Sequence, residues 1–130
     1  MLFSRASEYA LQACLFLAKT DASSYIRVRE IAEKIRLSHF FLGKVMQKLT
    51  QTGLVESYKG PNGGVRLARP ASSITLFQVV DAVERFDCDN TCLLGNPRCN
   101  EENPCVLHSE WNAVRNQIRK LLQSNTLGDF

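Results

Sequence analysis

A chain of 130 residues that is 45% hydrophobic has enough apolar surface for a core of its own, so its five cysteines are not needed as staples. It contains no run of about 18 uninterrupted apolar residues, which excludes a membrane-spanning helix, and no basic stretch followed by an apolar run opens it. The net charge of +3 divides unevenly: residues 1–70 carry 11 Lys/Arg against 5 Asp/Glu, and residues 71–130 carry 5 against 8. A basic first half points to a polyanionic partner.

Residues 4–19 open the chain with helical apolar spacing at Ala6, Tyr9, Ala10, Ala13, Phe16 and Leu17. Ser4 is the expected N-cap and Cys14 a small buried residue. A short helix follows over 28–36, with Ile31, Ala32 and Ile35 on one face, and Leu37-Ser38 breaks it. Ser38 is placed to cap a third helix over about 39–51. Phe41, Leu42, Val45, Met46 and Leu49 form its expected buried side, Lys44, Gln47, Lys48 and Gln51 its exposed side, and Gly53 its stop. Two short helices joined by a tight turn, the second basic outside, form the pattern of a helix-turn-helix.

Strands are expected at Leu54–Tyr58 and Val65–Ala68, joined by Lys59-Gly-Pro-Asn-Gly-Gly64. A hairpin directly after a helix-turn-helix makes a winged helix, and a glycine-rich tip flanked by cations suits phosphates or a narrow groove. The candidate DNA-contacting residues are Arg27, Ser38, His39, Phe40, Lys44, Lys48, Lys59, Asn62 and Arg66. The glycine run lacks the Gly-Lys-Ser/Thr ending and following helix of a phosphate loop.

Thr75 caps a further expected helix through about Phe86, and a last, long helix is expected over 106–123. Its apolar stripe of Val106, Trp111, Val114, Ile118, Leu121 and Leu122 must pack on the core or on a second copy of the chain. The expected division is a winged helix-turn-helix over 1–74 and, packed with it as one unit, a cysteine loop (88–108) and dimerisation helix over 75–130. The fold class is mainly α with a small β-hairpin.

Between the last two helices, Cys88, Cys92, Cys99 and Cys105 fall within 18 residues, broken by Gly95, Asn96, Pro97, Asn103 and Pro104, with His108 just beyond. Such a loop holds a soft metal or forms disulfides. The expected cytoplasmic location, where thiols stay reduced, favours metal or redox chemistry. Zinc in a three-cysteine, one-histidine site fits the residue types, although short Cys-x-x-Cys knuckles are absent. A thiol–disulfide switch through Cys88 and Cys92 is a further alternative. No nucleophile–base pair or paired-carboxylate motif marks an enzyme. A ferredoxin-like carrier would need no wing, and a winged helix that binds only protein would not need the basic half.

The Ser-Glu-Tyr-Ala-Leu opening, Phe41-Leu-Gly-Lys-Val, Gly53-Leu-Val, Lys59-Gly-Pro-Asn-Gly-Gly-Val-Arg-Leu-Ala-Arg-Pro70 and Cys105-Val-Leu-His-Ser-Glu-Trp111 together resemble the family of IscR, NsrR and RirA. These are bacterial winged-helix transcriptional regulators that sense iron–sulfur cluster status, nitric oxide, iron or redox state. The resemblance covers essentially the whole chain. It implies a cytoplasmic, homodimeric repressor or activator that binds a double-stranded DNA operator, with long C-terminal helices crossing. It also implies an iron–sulfur cluster, of the two-iron or four-iron type, on Cys92, Cys99 and Cys105. Cys88 falls outside that trio. The fourth ligand is then His108, or Glu8 of the partner subunit, since that family draws a ligand from near the start of the first helix.

Overall fold

The computed structural model describes residues 3–86 and 92–130. Among them are five α-helices and one hairpin: α1 (Arg5–Ala18), α2 (Val28–Ile35), α3 (His39–Gln51), β1 (Val55–Tyr58), β2 (Gly64–Leu67), α4 (Leu76–Glu84) and α5 (His108–Ser124). Single turns of 3-10 helix lie at Ala71–Ser73 and Leu127–Asp129. No helix among the described residues is long and apolar enough to cross a membrane.

The helix starts are set by side chains that satisfy the free N–H groups of the first turn. Ser4 Oγ accepts from the Ser7 N–H at 3.2 Å and Ser38 Oγ from the Phe41 N–H at 3.5 Å. Thr75 and Gln78 form a reciprocal capping box at 3.1 and 2.9 Å. The end of α3 is a Schellman motif: the Leu54 N–H donates to the Leu49 carbonyl, the Gly53 N–H donates to the Thr50 carbonyl, and Gly53 supplies φ +82°. The ends of α2 and α4 differ from expectation. Each stops one or two residues early, at an arginine in the left-handed region, Arg36 (φ 59°) and Arg85 (φ 55°).

The core gathers α1, α2, α3, the hairpin and α4. Ala10, Ala13, Cys14, Ile31, Leu42, Val45, Met46, Leu49, Val55, Val65, Ile74 and Val79 are all buried in it. Fully burying each large aliphatic side chain contributes about 1.5–3 kcal/mol. Leu127 joins the same cluster, because Thr126 bridges to Thr75 and the Leu127 N–H donates to the Ile74 carbonyl. The C-terminal turn is therefore pinned to the start of α4. Phe41, placed on the buried side by spacing, is only half covered and packs edge-on against Tyr9 at 4.9 Å between ring centroids.

A smaller cluster of Phe77, Val80 and Leu122, with Phe3, Phe86 and Ile118 against it, joins α5 to α4. Much of the expected apolar stripe of α5 is left uncovered. Val106 lies before the helix and is 87% exposed, and Leu121 and Val114 are 62% and 43% exposed. The helix begins at His108 rather than 106, after Pro104 and a turn closed by the His108 N–H on the Cys105 carbonyl.

Candidate metal centre and DNA-binding face

The wing is built on antiparallel pairing of Val55 with Leu67, Glu56 with Arg66, Ser57 with Val65 and Tyr58 with Gly64. On its other edge β2 takes a third partner: Ile26 and Val65 exchange backbone hydrogen bonds of 2.9 and 2.8 Å. That bridge explains Gly64. A Cβ there would lie 2.4 Å from the Ile26 carbonyl carbon and oxygen, and φ is +150°. It ties the wing to the residue that leads into α2, so wing and helix-turn-helix are held in one frame.

Both arginines proposed from sequence serve this frame. Arg27 is exposed, and its Nη2 donates to the Pro61 carbonyl at the wing tip at 2.5 Å. Arg66 pairs with Glu56 at 3.0 Å, donates to the Ser23 carbonyl at 3.1 Å, and lies 4.4 Å from the Tyr25 ring centroid. Ser38, Phe40, Lys44, Lys48, Lys59 and Asn62 are exposed on α3 and the wing tip, with His39 half-buried among them. Helix α3 contains no acidic residue. The carbonyls that Arg27 and Arg66 hold, of Pro61 and Ser23, lie 34 and 43 residues away, so no local pattern signals that internal work.

In the segment that leads into α5, Cys92, Cys99 and Cys105 converge, their Sγ atoms all within 4.8 Å of one another. Cys92 Sγ and Cys105 Sγ are 3.5 Å apart, and the Cys105 N–H donates to Cys99 Sγ at 3.4 Å. Cys88 lies outside the described residues. The turns between these cysteines come from the residues that break regular structure. Gly95 takes φ +74° and its N–H donates to the Cys92 carbonyl. Asn96 Oδ1 accepts from the Arg98 N–H at 3.0 Å, and Asn100 Oδ1 from the Asn103 N–H at 2.6 Å.

His108 lies beside the group. Its Nδ1 is 3.3 Å from Cys99 Sγ, and the Asn112 amide lies 3.3 Å from Nε2, one helical turn along α5. Glu8 is exposed on α1. The three thiols and His108 line a pocket of about 190 Å³ with Trp111 and Asn112 on its α5 wall. A single water-sized guest needs only ~10–15 Å³ of such space, so the pocket has room for a polyatomic group.

The thiols are electrostatically unequal. The Asn96 and Leu94 backbone N–H groups hydrogen-bond to Cys92 and hold its pKa below the ordinary thiol value. At Cys105 the Leu107 N–H likewise lowers the pKa, but burial and the neighbouring Cys92 and Cys99 outweigh it and push the pKa up. Three unbonded thiols in contact, one favouring the thiolate, form a soft-metal donor set. Two thiolates at 2.3 Å from one tetrahedral metal stand about 3.8 Å apart, close to the Cys92–Cys105 spacing. Buried Cys14 is different: burial pushes its pKa up to about 12, and it stays an inert core residue.

A family model described as "Rrf2: Iron-dependent Transcriptional regulator" matches residues 3–130. The chain is 34% identical to a putative HTH-type transcriptional regulator of Aquifex aeolicus, over 100% of this chain and 91% of that protein. It is 30% identical to the HTH-type transcriptional regulator IscR of Escherichia coli, over 100% and 80% of the two chains. Among solved structures, T. potens IscR superposes with a TM-score of 0.79 at 27% identity, covering 99% of this chain and 85% of that one. CymR, the global cysteine regulator of B. subtilis, shares the fold with a TM-score of 0.81 at 24% identity, covering 99% and 95%.

Proposed function

The chain belongs to the Rrf2 family of winged-helix transcriptional regulators, which are not enzymes, and from that premise we propose that it is a DNA-binding regulator controlled by an iron–sulfur cluster. One observation carries this reading: the convergence of Cys92, Cys99 and Cys105 beside a pocket that takes more than a single ion. These thiols would hold the cluster, with His108 as fourth ligand from the same chain, or Glu8 of the partner subunit in its place. Bound there, a cluster supplies iron open to oxidation, to nitric oxide and to loss.

The protein's own residues supply the coupling. Cys105 lies three residues before the start of α5, so gathering the three thiols fixes where α5 begins. Arg115 on α5 donates to the Phe86 carbonyl at 3.1 Å, which ties the far side of the loop to the end of α4. The uncovered Val114 and Leu121 then form a strip for a second copy of the chain, and a homodimer would present two winged faces to an operator. On each face Ser38, His39, Phe40, Lys44 and Lys48 of α3 meet the major groove. Lys59 and Asn62 of the wing approach the backbone, positioned by Arg27 and Arg66.

The test is anaerobic purification followed by absorption spectroscopy, native mass spectrometry and iron and sulfide analysis. Operator binding is then measured with and without the cluster. The expected change in affinity is about 5–150-fold. Unchanged affinity in the triple Cys92/Cys99/Cys105→Ala variant overturns the sensing role.

The 3.5 Å contact between Cys92 and Cys105 also favours a second reading, a thiol switch. In it two thiols join as a disulfide and give two electrons and two protons to an oxidant such as peroxide. A colourless, iron-free protein whose DNA affinity changes with peroxide supports that reading. A single zinc in the native mass supports a structural metal site instead.

A further inference from the structure

Glycine is the poorest helix former after proline, yet Gly43 occupies the fifth position of the 13-residue α3. It is not among the glycines with positive φ, so the backbone does not require it. Packing does not require it either, because a Cβ at Gly43 would meet nothing within 4 Å. The contrast with Gly64, where a Cβ would run into Ile26, is direct. Whatever Gly43 leaves room for lies outside the chain.

Its neighbours on the helix surface indicate what that is. Three and four residues before Gly43 stand Phe40 and His39, and four after it stands Gln47. Phe40 is 77% exposed, with its ring centroid 4.1 Å from that of His39. Lys44, Gln47 and Lys48 are exposed beside it, and the helix carries no acidic residue. The surface is thus a bare turn of backbone between an aromatic ring pair and a polar amide, in a cationic setting. This matches the floor of a DNA major groove, where aromatic side chains contact the thymine methyl group and carboxamides pair with adenine.

We propose that Gly43 is the point of closest approach between α3 and the base edges, and that Phe40 selects a thymine by its 5-methyl group. The proposal rests on the DNA-binding reading above and adds what the helix reads.

To test it, the anaerobically purified full chain selects duplexes from a random pool. Wild type, Gly43→Ala and Phe40→Ala are then titrated on the best duplex and on copies with each dT replaced in turn by dU, which removes only the methyl group. Gly43→Ala is expected to raise Tm by about 2–4 °C while weakening binding about 10-fold. Wild type is expected to lose about 3–5-fold at one dT→dU position, the worth of one methyl group, and Phe40→Ala to show no loss there. A Gly43→Ala variant that binds as tightly as wild type, or that melts lower, overturns the close-approach role. An equal dU penalty in wild type and Phe40→Ala overturns the thymine contact. Failure to select any duplex removes the DNA-binding reading itself, and this inference with it.

Discussion

Arg115 reaches from α5 to Phe86, donating to its carbonyl at 3.1 Å with the guanidinium carbon 5.4 Å from the ring centroid. Arg115 is buried, and Arg119 also lies over the same ring at 5.9 Å. Phe3 and Phe77 close the ring's other contacts. The end of α4, where the cysteine loop leaves, is therefore clamped by the helix into which that loop returns.

Arg115→Ala should accordingly destabilise the protein by about 2 kcal/mol, the combined scale of a charge-assisted hydrogen bond and a cation–π contact. Urea unfolding of the cluster-free protein measures it. The same variant should weaken the dependence of operator affinity on the cluster while leaving the iron content unchanged. Iron lost together with stability would show that Arg115 supports the metal site rather than the coupling.

Glu84 gives a pH-dependent prediction. It lies at the end of α4, and its Oε1 accepts from the Ser4 N–H at the start of α1. Partial burial alone would raise its pKa, but hydrogen bonds from Ser4 and Ser7 outweigh this and lower it below the ordinary carboxylate value. A depressed carboxylate pKa adds stability above the unfolded-state value, and this is lost as pH falls through the folded value. Glu84→Gln should thus be less stable than wild type at pH 7, by under ~1 kcal/mol for a group still largely open to solvent screening. The gap should narrow as pH falls through the lowered carboxylate value in cluster-free, reduced protein. A difference that stays constant over that fall would show that the carboxylate charge is not involved.

The elements were legible where side-chain chemistry is local. Ser4, Ser38 and Thr75 announce helix starts within three residues of their partners, and Gly53 announces an end. Legibility failed where the determinant lies far along the chain. Ile26 contributes one residue of strand, too short for any periodicity, and its partner Val65 is 39 positions away. Arg36 and Arg85 hold left-handed conformations that glycine usually signals. Val106 joined the expected apolar stripe by residue type alone, but the turn after Pro104 keeps it out of α5. At the cysteine group the donor types were readable. Their convergence depended on turns made by Asn96 and Asn100, whose side chains close the backbone locally.

The wing frame predicts a sharp sensitivity at Gly64. Gly64→Ala places a methyl group 2.4 Å from the Ile26 backbone at a φ that side chains disfavour. Either β2 separates from Ile26, or the wing shifts. Loss of the paired hydrogen bonds and the added strain should cost about 2–4 kcal/mol. Amide exchange at Ile26 and Val65 should rise with it, and operator binding should weaken although no DNA-facing side chain has changed. Unchanged exchange at those two amides would mean that the bridge is not what Gly64 protects.

The fourth ligand can be decided by two substitutions. His108 Nδ1 stands 3.3 Å from Cys99 Sγ, and the Asn112 amide meets its other ring nitrogen. An outer partner of that kind orients a ligating imidazole. Glu8 is exposed on α1 and would need a second subunit to bring it to the thiols. His108→Ala should therefore lose iron faster than wild type under chelator challenge, with a shifted visible spectrum. Glu8→Ala should match wild type. The two variants also separate the assembly question. If Glu8→Ala loses the metal and His108→Ala keeps it, the ligand comes from a partner, and iron retention should then fall on dilution below the dimer dissociation constant. If both keep it, Cys88 becomes the remaining thiol to substitute, with Cys88→Ser read by the same chelator assay.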